Sequence, residues 1–217
     1  MKDRLLSLLF PPRCAFCGAF LRRGQTEVCA RCMQEIRFVS SGCAKAPMFV
    51  DRCVGALAYK GRVRLAVHRF KFRGRQSAAP AFGRLVAHQV QAYMDEPFDF
   101  VTWVPTSERN IRRRGYDHAR LLAEETARRL GLAARQTLRR VRHTRPMYGL
   151  GAAERRANVL DAFRVQDESM VKGARILLVD DILTTGSTLS ECARVLREAG
   201  AVRVCGAVLA VTKKTRR

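Results

Sequence analysis

Residues 176–201 read ILLVDDILTTGSTLSECARVLREAGA. The unbroken apolar run 176–179 reads as a strand buried on both faces. STLSECARVLREAG carries apolar residues at helical spacing, with Gly200 as its stop. Strand, loop and helix in that order form the repeating unit of a parallel sheet. In such a sheet a ligand sits beyond the carboxyl ends of the strands, and Asp180 and Asp181 fall at the end of ILLV. The loop LTTGST runs into a helix start, where backbone N–H groups and the positive end of the helix dipole favour a phosphate. Gly186 lets the backbone come close to a ligand, and Thr184, Thr185, Ser187 and Thr188 add hydroxyl donors. Two carboxylates repel a phosphate but accept hydrogen bonds from sugar hydroxyls. Carboxylates beside a phosphate cradle therefore suggest a phosphorylated sugar. An apolar strand ending in Asp-Asp also occurs in nucleoside triphosphatases, which need G-x-x-x-x-G-K-[ST] upstream. The chain contains no Gly-Lys dipeptide.

Outward from this unit the chain alternates helices and strands. RVRLAVHRFKF (62–72) places Val63, Val67 and Phe70 at helical spacing with a basic face. AFGRLVAHQVQAYM (81–94) continues as a second helix, broken before Pro97. FDFVTWVP (98–105) reads as a buried strand and TSERNIRRRGYDH (106–118) as a loop. ARLLAEETARRLGL (119–132) is a helix with Gly131 past its end, and AVRVCGAVLAVTK (201–213) is a last strand. The expected fold is α/β: a parallel sheet flanked by helices on both faces.

A small module precedes it. CAFC and CARC place Cys14, Cys17, Cys29 and Cys32 as C-x2-C, eleven residues, C-x2-C. Four thiolates so spaced can close a tetrahedral shell around a structural zinc with no open position for catalysis. Structural disulfides are unexpected in a cytoplasmic chain. Cys43 and Cys53 read as free thiols, Cys192 and Cys205 as small core residues. The histidines at 68, 88, 118 and 143 lack metal-ligand spacing. The opening MKDRLLSLLF suggests a short helix packing Leu5, Leu6, Leu9 and Phe10 on the body rather than a signal peptide. The expected division is 1–45 for the metal module and 46–217 for the α/β domain.

The formal net charge is +22, and it is clustered. Seven basic residues and no acidic one lie in 60–75, five and none in 135–145, and four in the last five residues. Clusters of this kind point to a polyanion: single-stranded DNA, or the phosphates of a small substrate. No apolar run approaches the roughly 20 residues that span a bilayer, so no membrane insertion is expected and the chain is placed in the cytoplasm.

ILLVDDILTTGSTL resembles the signature of type I phosphoribosyltransferases, which bind phosphoribosyl pyrophosphate. CAFC, CARC, FKFRG, WVP, RRRGYDHARLLA, RHTRP and ERRANVLDAF extend the resemblance over nearly the whole chain, to the ComF family of competence proteins. The resemblance implies that Asp180 and Asp181 hold the ribose hydroxyls and that residues 184–188 hold the 5′-phosphate. It implies that the loop after Pro105 faces the pyrophosphate, with Mg²⁺ neutralising the leaving group. Arg112, Arg113 and Arg114 would stabilise that charge; Arg114 and Gly115 match the family's Arg-Gly, and Arg155 and Asn158 its R-x-x-N. The chain has Asp117 and His118 where the family usually has Asn-Gln, and Met147 where Gln often follows TRP.

Three functions fit these residues. One is a DNA-uptake factor that binds phosphoribosyl pyrophosphate and single-stranded DNA and works with uptake machinery. Another is a phosphoribosyltransferase of nucleotide metabolism. The third is a regulator that senses the sugar phosphate without reacting it.

Overall fold

In the computed structural model, residues 11–22, 24–25, 27–39, 43–142 and 151–212 are described. The expected N-terminal helix, His143, Met147 and the basic tail lie outside these residues. The elements run α1 (Ala30–Glu35), β1 (Cys43–Ala44), β2 (Cys53–Ala58), α2 (Gly61–Phe72), α3 (Ala79–Tyr93), β3 (Phe100–Trp103) and α4 (Glu108–Arg114). They continue with α5 (His118–Leu130), β4 (Leu138–Arg140), α6 (Ala152–Val159), β5 (Phe163–Val165), α7 (Glu168–Val171), β6 (Arg175–Leu183), α8 (Ser187–Glu198) and β7 (Arg203–Val211).

Five strands form one sheet in the order β1-β2-β7-β6-β3. It is parallel except for β1, which pairs antiparallel with β2 at the edge. β6 and β7 are continuous apolar runs because both faces are covered. Leu177 and Val179 pack into one core with Val67 and Phe70 of α2, Phe82 of α3 and Leu122 of α5. Ile176 and Leu178 pack into a second with Leu189 and Leu196 of α8 and Phe163 of β5. β2 is not among the elements that periodicity marks: CVGALA is short, apolar and built from small residues. Its pairing with β7 on one side and β1 on the other defines it as a strand.

Two expectations need correction. Residues 106–118 do not form a loop throughout, because α4 occupies 108–114. None of its residues is buried, so no apolar stripe announces it. Glu108 in its first turn, three arginines in its last and a left-handed Gly115 (φ 79°) at its end all favour a helix there. The aspartates also do not end their strand. β6 runs on to Leu183, held by pairing of Ile182 with Ala210 and Leu183 with Val211. Asp180 and Asp181 are therefore internal strand positions, and their side chains take opposite faces.

The cysteine segment packs on the same body. Phe16 meets the Phe82 ring edge-on at 5.4 Å. Phe38 bridges Leu57 of β2, and Cys14, Cys32 and Ile36 join the first core. α2 and the turn after it grip the knuckle: Arg69 Nη1 donates to the carbonyls of Phe16 (3.4 Å) and Cys17 (3.1 Å), and Arg75 Nη2 to that of Cys14 (3.2 Å).

Candidate functional site

After β6 the chain turns through Thr184 to Gly186 and enters α8. Thr184 is exposed, Thr185 and Thr188 are half-buried, and Gly186 and Ser187 are buried. Gly186 starts α8 in the left-handed region (φ 81°) and gives it no side-chain cap. Thr185 Oγ1 lies 2.9 Å from Ser187 Oγ and accepts from the Ser187 amide at 3.4 Å. The loop thus joins hydroxyls to a helix start, as an anion cradle requires. Gly186 has a second reason to be glycine. A Cβ there would lie 2.7 Å from Pro47 Cγ, so the segment leading to β2 presses on this loop.

The two aspartates differ sharply. Asp180 is half-buried, and its Oδ1 accepts from the Asp181 amide at 2.8 Å. Burial pushes its carboxyl up to about 6, against the pull of Lys71. Asp181 is 2% exposed. Its Oδ2 lies 2.7 Å from Lys71 Nζ and 3.0 Å from His118 Nε2. It faces the α2–α5 side of the sheet, where protein groups already meet it.

Lys71 and His118 are the residues that sequence reasoning missed as site members. A signal exists for both. Lys71 stands four residues after Val67 and His118 four before Leu122, each on the apolar stripe of its helix. A charged or polar side chain on such a stripe needs a buried partner.

The three arginines of α4 separate. Arg114 is half-buried; its Nη1 lies 3.1 Å from His118 Nδ1 and its Cζ sits 4.4 Å above the Phe72 ring. Arg113 donates to Asn110 Oδ1 at 3.2 Å. Arg112 pairs with Glu108 at 3.3 Å, both exposed. With Ser107, Arg140, Val141 and Arg142, these two line a cavity of about 190 Å³. Arg155 and Asn158 are half-buried on α6, which packs against α8. Arg142 Nη2 donates to the Asn158 carbonyl at 3.1 Å, tying β4 to α6. Asp117 caps α5, accepting from the amides of Ala119 (3.0 Å) and Arg120 (3.4 Å) and from the Thr106 hydroxyl (2.8 Å).

The basic run 60–75 is less free than its charge suggests. Arg69 and Arg75 hold the knuckle, Lys71 holds Asp181, and Arg62 pairs with Glu35. Lys60, Arg64 and Arg73 are exposed.

The cysteine cluster fits zinc. All four sulfurs lie within 4.8 Å of one another, and Cys17 and Cys29 are 3.7 Å apart. A tetrahedron with bonds of about 2.3 Å has edges of about 3.8 Å. Burial raises the Cys14 thiol, but the amides of Cys29, Cys17 and Phe16 outweigh it and hold the group down at about 6. Burial and the neighbouring sulfurs push Cys32 well up. Four thiolates so close need a cation to ionise together.

Comparison with known proteins agrees with this architecture. Residues 117–217 match the phosphoribosyl transferase domain, and residues 5–47 match the double zinc ribbon domain. The DNA utilization protein YhgH of Salmonella typhimurium is 33% identical, with 88% of this chain and 86% of that protein covered. Competence protein F of Haemophilus influenzae is 28% identical, with 87% and 92% covered. Competence protein ComFC of Streptococcus pneumoniae is 26% identical, with 87% and 82% covered. A zinc ribbon ahead of a phosphoribosyl transferase domain, with sequence similarity along most of both chains, makes this protein a member of the ComF and YhgH family.

Proposed function

We propose that the protein binds phosphoribosyl pyrophosphate, as its Mg²⁺ complex, at the carboxyl end of β6. It also binds single-stranded DNA and serves DNA uptake or utilisation in the cytoplasm beside other uptake proteins. The observation that carries the ligand assignment is the joining of half-buried Asp180 to a hydroxyl-bearing, uncapped start of α8. In this reading Asp180 orders the ribose, Asp181 supports the strand from its buried face through Lys71 and His118 rather than touching the sugar, and the 184–188 loop takes the 5′-phosphate. Arg112, Arg113, Arg114 and Gly115 face the pyrophosphate, with Arg155 and Asn158 closing the site from α6. Mg²⁺ supplies charge neutralisation at the leaving group. The cysteine module, residues 1–45, is a structural unit set on the 46–217 domain.

Isothermal titration with phosphoribosyl pyrophosphate and Mg²⁺ tests the assignment. Saturable heat is expected, lost in a Thr185→Ala/Ser187→Ala variant; no heat from the parent protein rules the assignment out. For DNA, affinity for a short oligonucleotide should fall steeply with salt. Absence of binding at low salt removes that half of the proposal.

The arginine-lined cavity favours a second reading, transfer of the phosphoribosyl group to an acceptor. Pyrophosphate release across a panel of bases, absent in Asp180→Ala, would support it.

A further inference from the structure

His118 is the first residue of α5 and is 6% exposed. Arg114 reaches it from α4 and Asp181 from β6, with Lys71 of α2 on the same Asp181 oxygen. The Phe70 ring meets it edge-on at 6.2 Å. The Tyr116 hydroxyl donates to the Phe70 carbonyl, so the chain between α4 and α5 is pinned to α2 as well.

We propose that His118 is a positioning residue, a neutral imidazole that accepts at Nδ1 from Arg114 and turns its Nε2–H edge to the Asp181 carboxylate, whose Oδ2 lies 3.0 Å away and has no hydrogen-bond partner of its own among the described residues. It thereby fixes the two halves of the ligand site, the β6 carboxylates and the Arg-Gly turn, relative to each other. This rests on the ligand assignment above for its functional meaning, and on geometry alone for the bridge.

The hydrogen-bond balance admits one arrangement. Arg114 only donates, so Nδ1 facing it must carry the lone pair. Asp181 as a carboxylate only accepts, so Nε2 must carry the proton. A doubly protonated ring would set a hydrogen against the guanidinium and add a cation beside Lys71 and Arg114. Burial first, then those two cations, accordingly push the ring down to about 2. Lys71 neutralises Asp181, so the unit Lys71–Asp181–His118–Arg114 carries one positive charge beyond balance, on Arg114. The bridge keeps that guanidinium beside the site.

A side chain with one donor and one acceptor at matching reach can replace such an imidazole. Gln satisfies that requirement and Leu does not. His118→Gln is therefore expected to bind phosphoribosyl pyrophosphate within about threefold of the parent. His118→Leu should bind roughly ten- to a hundredfold more weakly, the range for losing partners that orient ligand-bearing groups. Equal affinity for parent and His118→Leu overturns the positioning role. The bridge is tested without ligand by ¹⁵N NMR of the imidazole between pH 5 and 8. A constant neutral signal with the proton on Nε2 is expected. A proton on Nδ1, or a titration near pH 6.5, overturns the bridge. If the parent binds no phosphoribosyl pyrophosphate while the NMR result holds, the ligand assignment fails and the bridge stands.

Discussion

Asp180 and Asp181 are neighbours in sequence with opposite physical situations. Asp181 is buried against Lys71 and His118, and its removal leaves an ammonium without its counter-charge. Asp181→Ala is expected to lower stability by roughly 3 kcal/mol, read from urea unfolding. Asp180 is half-buried on the opposite, α8-facing side of the strand, and burial raises its carboxyl to about 6. Its carboxylate accepts hydrogen bonds only above that value, so affinity for phosphoribosyl pyrophosphate should fall as pH drops from 7 to 5. Asp180→Asn should remove that step. His118 acts on stability. The unfolded chain takes up a proton near pH 6.5, and the folded chain does not until about 2. Below pH 6.5 the unfolded state binds more protons, so stability falls as pH falls, by about 1.4 kcal/mol per pH unit. Asp180 acts in the opposite sense, since its raised pKa favours the folded state as pH drops from about 6. Comparison with His118→Gln isolates the histidine. The stability gap between the two proteins should change at that slope between pH 6 and 5, and a constant gap contradicts a buried neutral ring.

At the scale of elements, the turn from α4 to α5 carries the site. Gly115 ends α4 in the left-handed region and Asp117 opens α5, two residues apart. The Asp117 carboxylate accepts from two amides and the Thr106 hydroxyl. Asp117→Ala should cost about 1–2 kcal/mol, a normal loss for an N-cap, measurable by thermal melting. α8 starts at another constrained glycine. Gly186→Ala meets both a positive φ and the Pro47 ring, so the 184–188 loop must shift. Loss of phosphoribosyl pyrophosphate binding is expected, with a stability loss of about 1–3 kcal/mol.

Across the whole molecule α2 is the shared part. One face holds the zinc knuckle through Arg69, and Lys71 two residues on holds Asp181. Metal removal by a strong chelator should therefore lower the melting temperature of the phosphoribosyl transferase domain as well as unfold the knuckle. Two independent transitions would contradict this coupling. The same commitments limit what α2 offers DNA. Lys60, Arg64 and Arg73 are its exposed cations. Replacing all three by Ala should reduce the salt slope of single-stranded DNA binding by about 2, at roughly 0.7 per phosphate contact.

How much of this was legible in advance follows from the range of the forces involved. The apolar runs of β6 and β7, the helix periods of α2, α5 and α8, and the C-x2-C pairs are local patterns. They are set by burial on two faces, by 3.6-residue spacing and by knuckle geometry, and they make the fold class, the hydroxyl-bearing loop before α8 and the cysteine cluster legible. β2 was not legible because its strand character comes from pairing, chiefly with β7 about 150 residues away, and not from a local pattern. α4 was not legible because an exposed helix leaves no apolar stripe. The split between Asp180 and Asp181 was hidden for the same reason. Strand alternation separates their faces, but only the packing of α2 and α5 puts Lys71 and His118 against Asp181, while Asp180 stays half-buried on the other face. Sequence names the groups that can hold a phosphorylated sugar; tertiary contacts, acting over distances no local pattern encodes, determine which are free to do so.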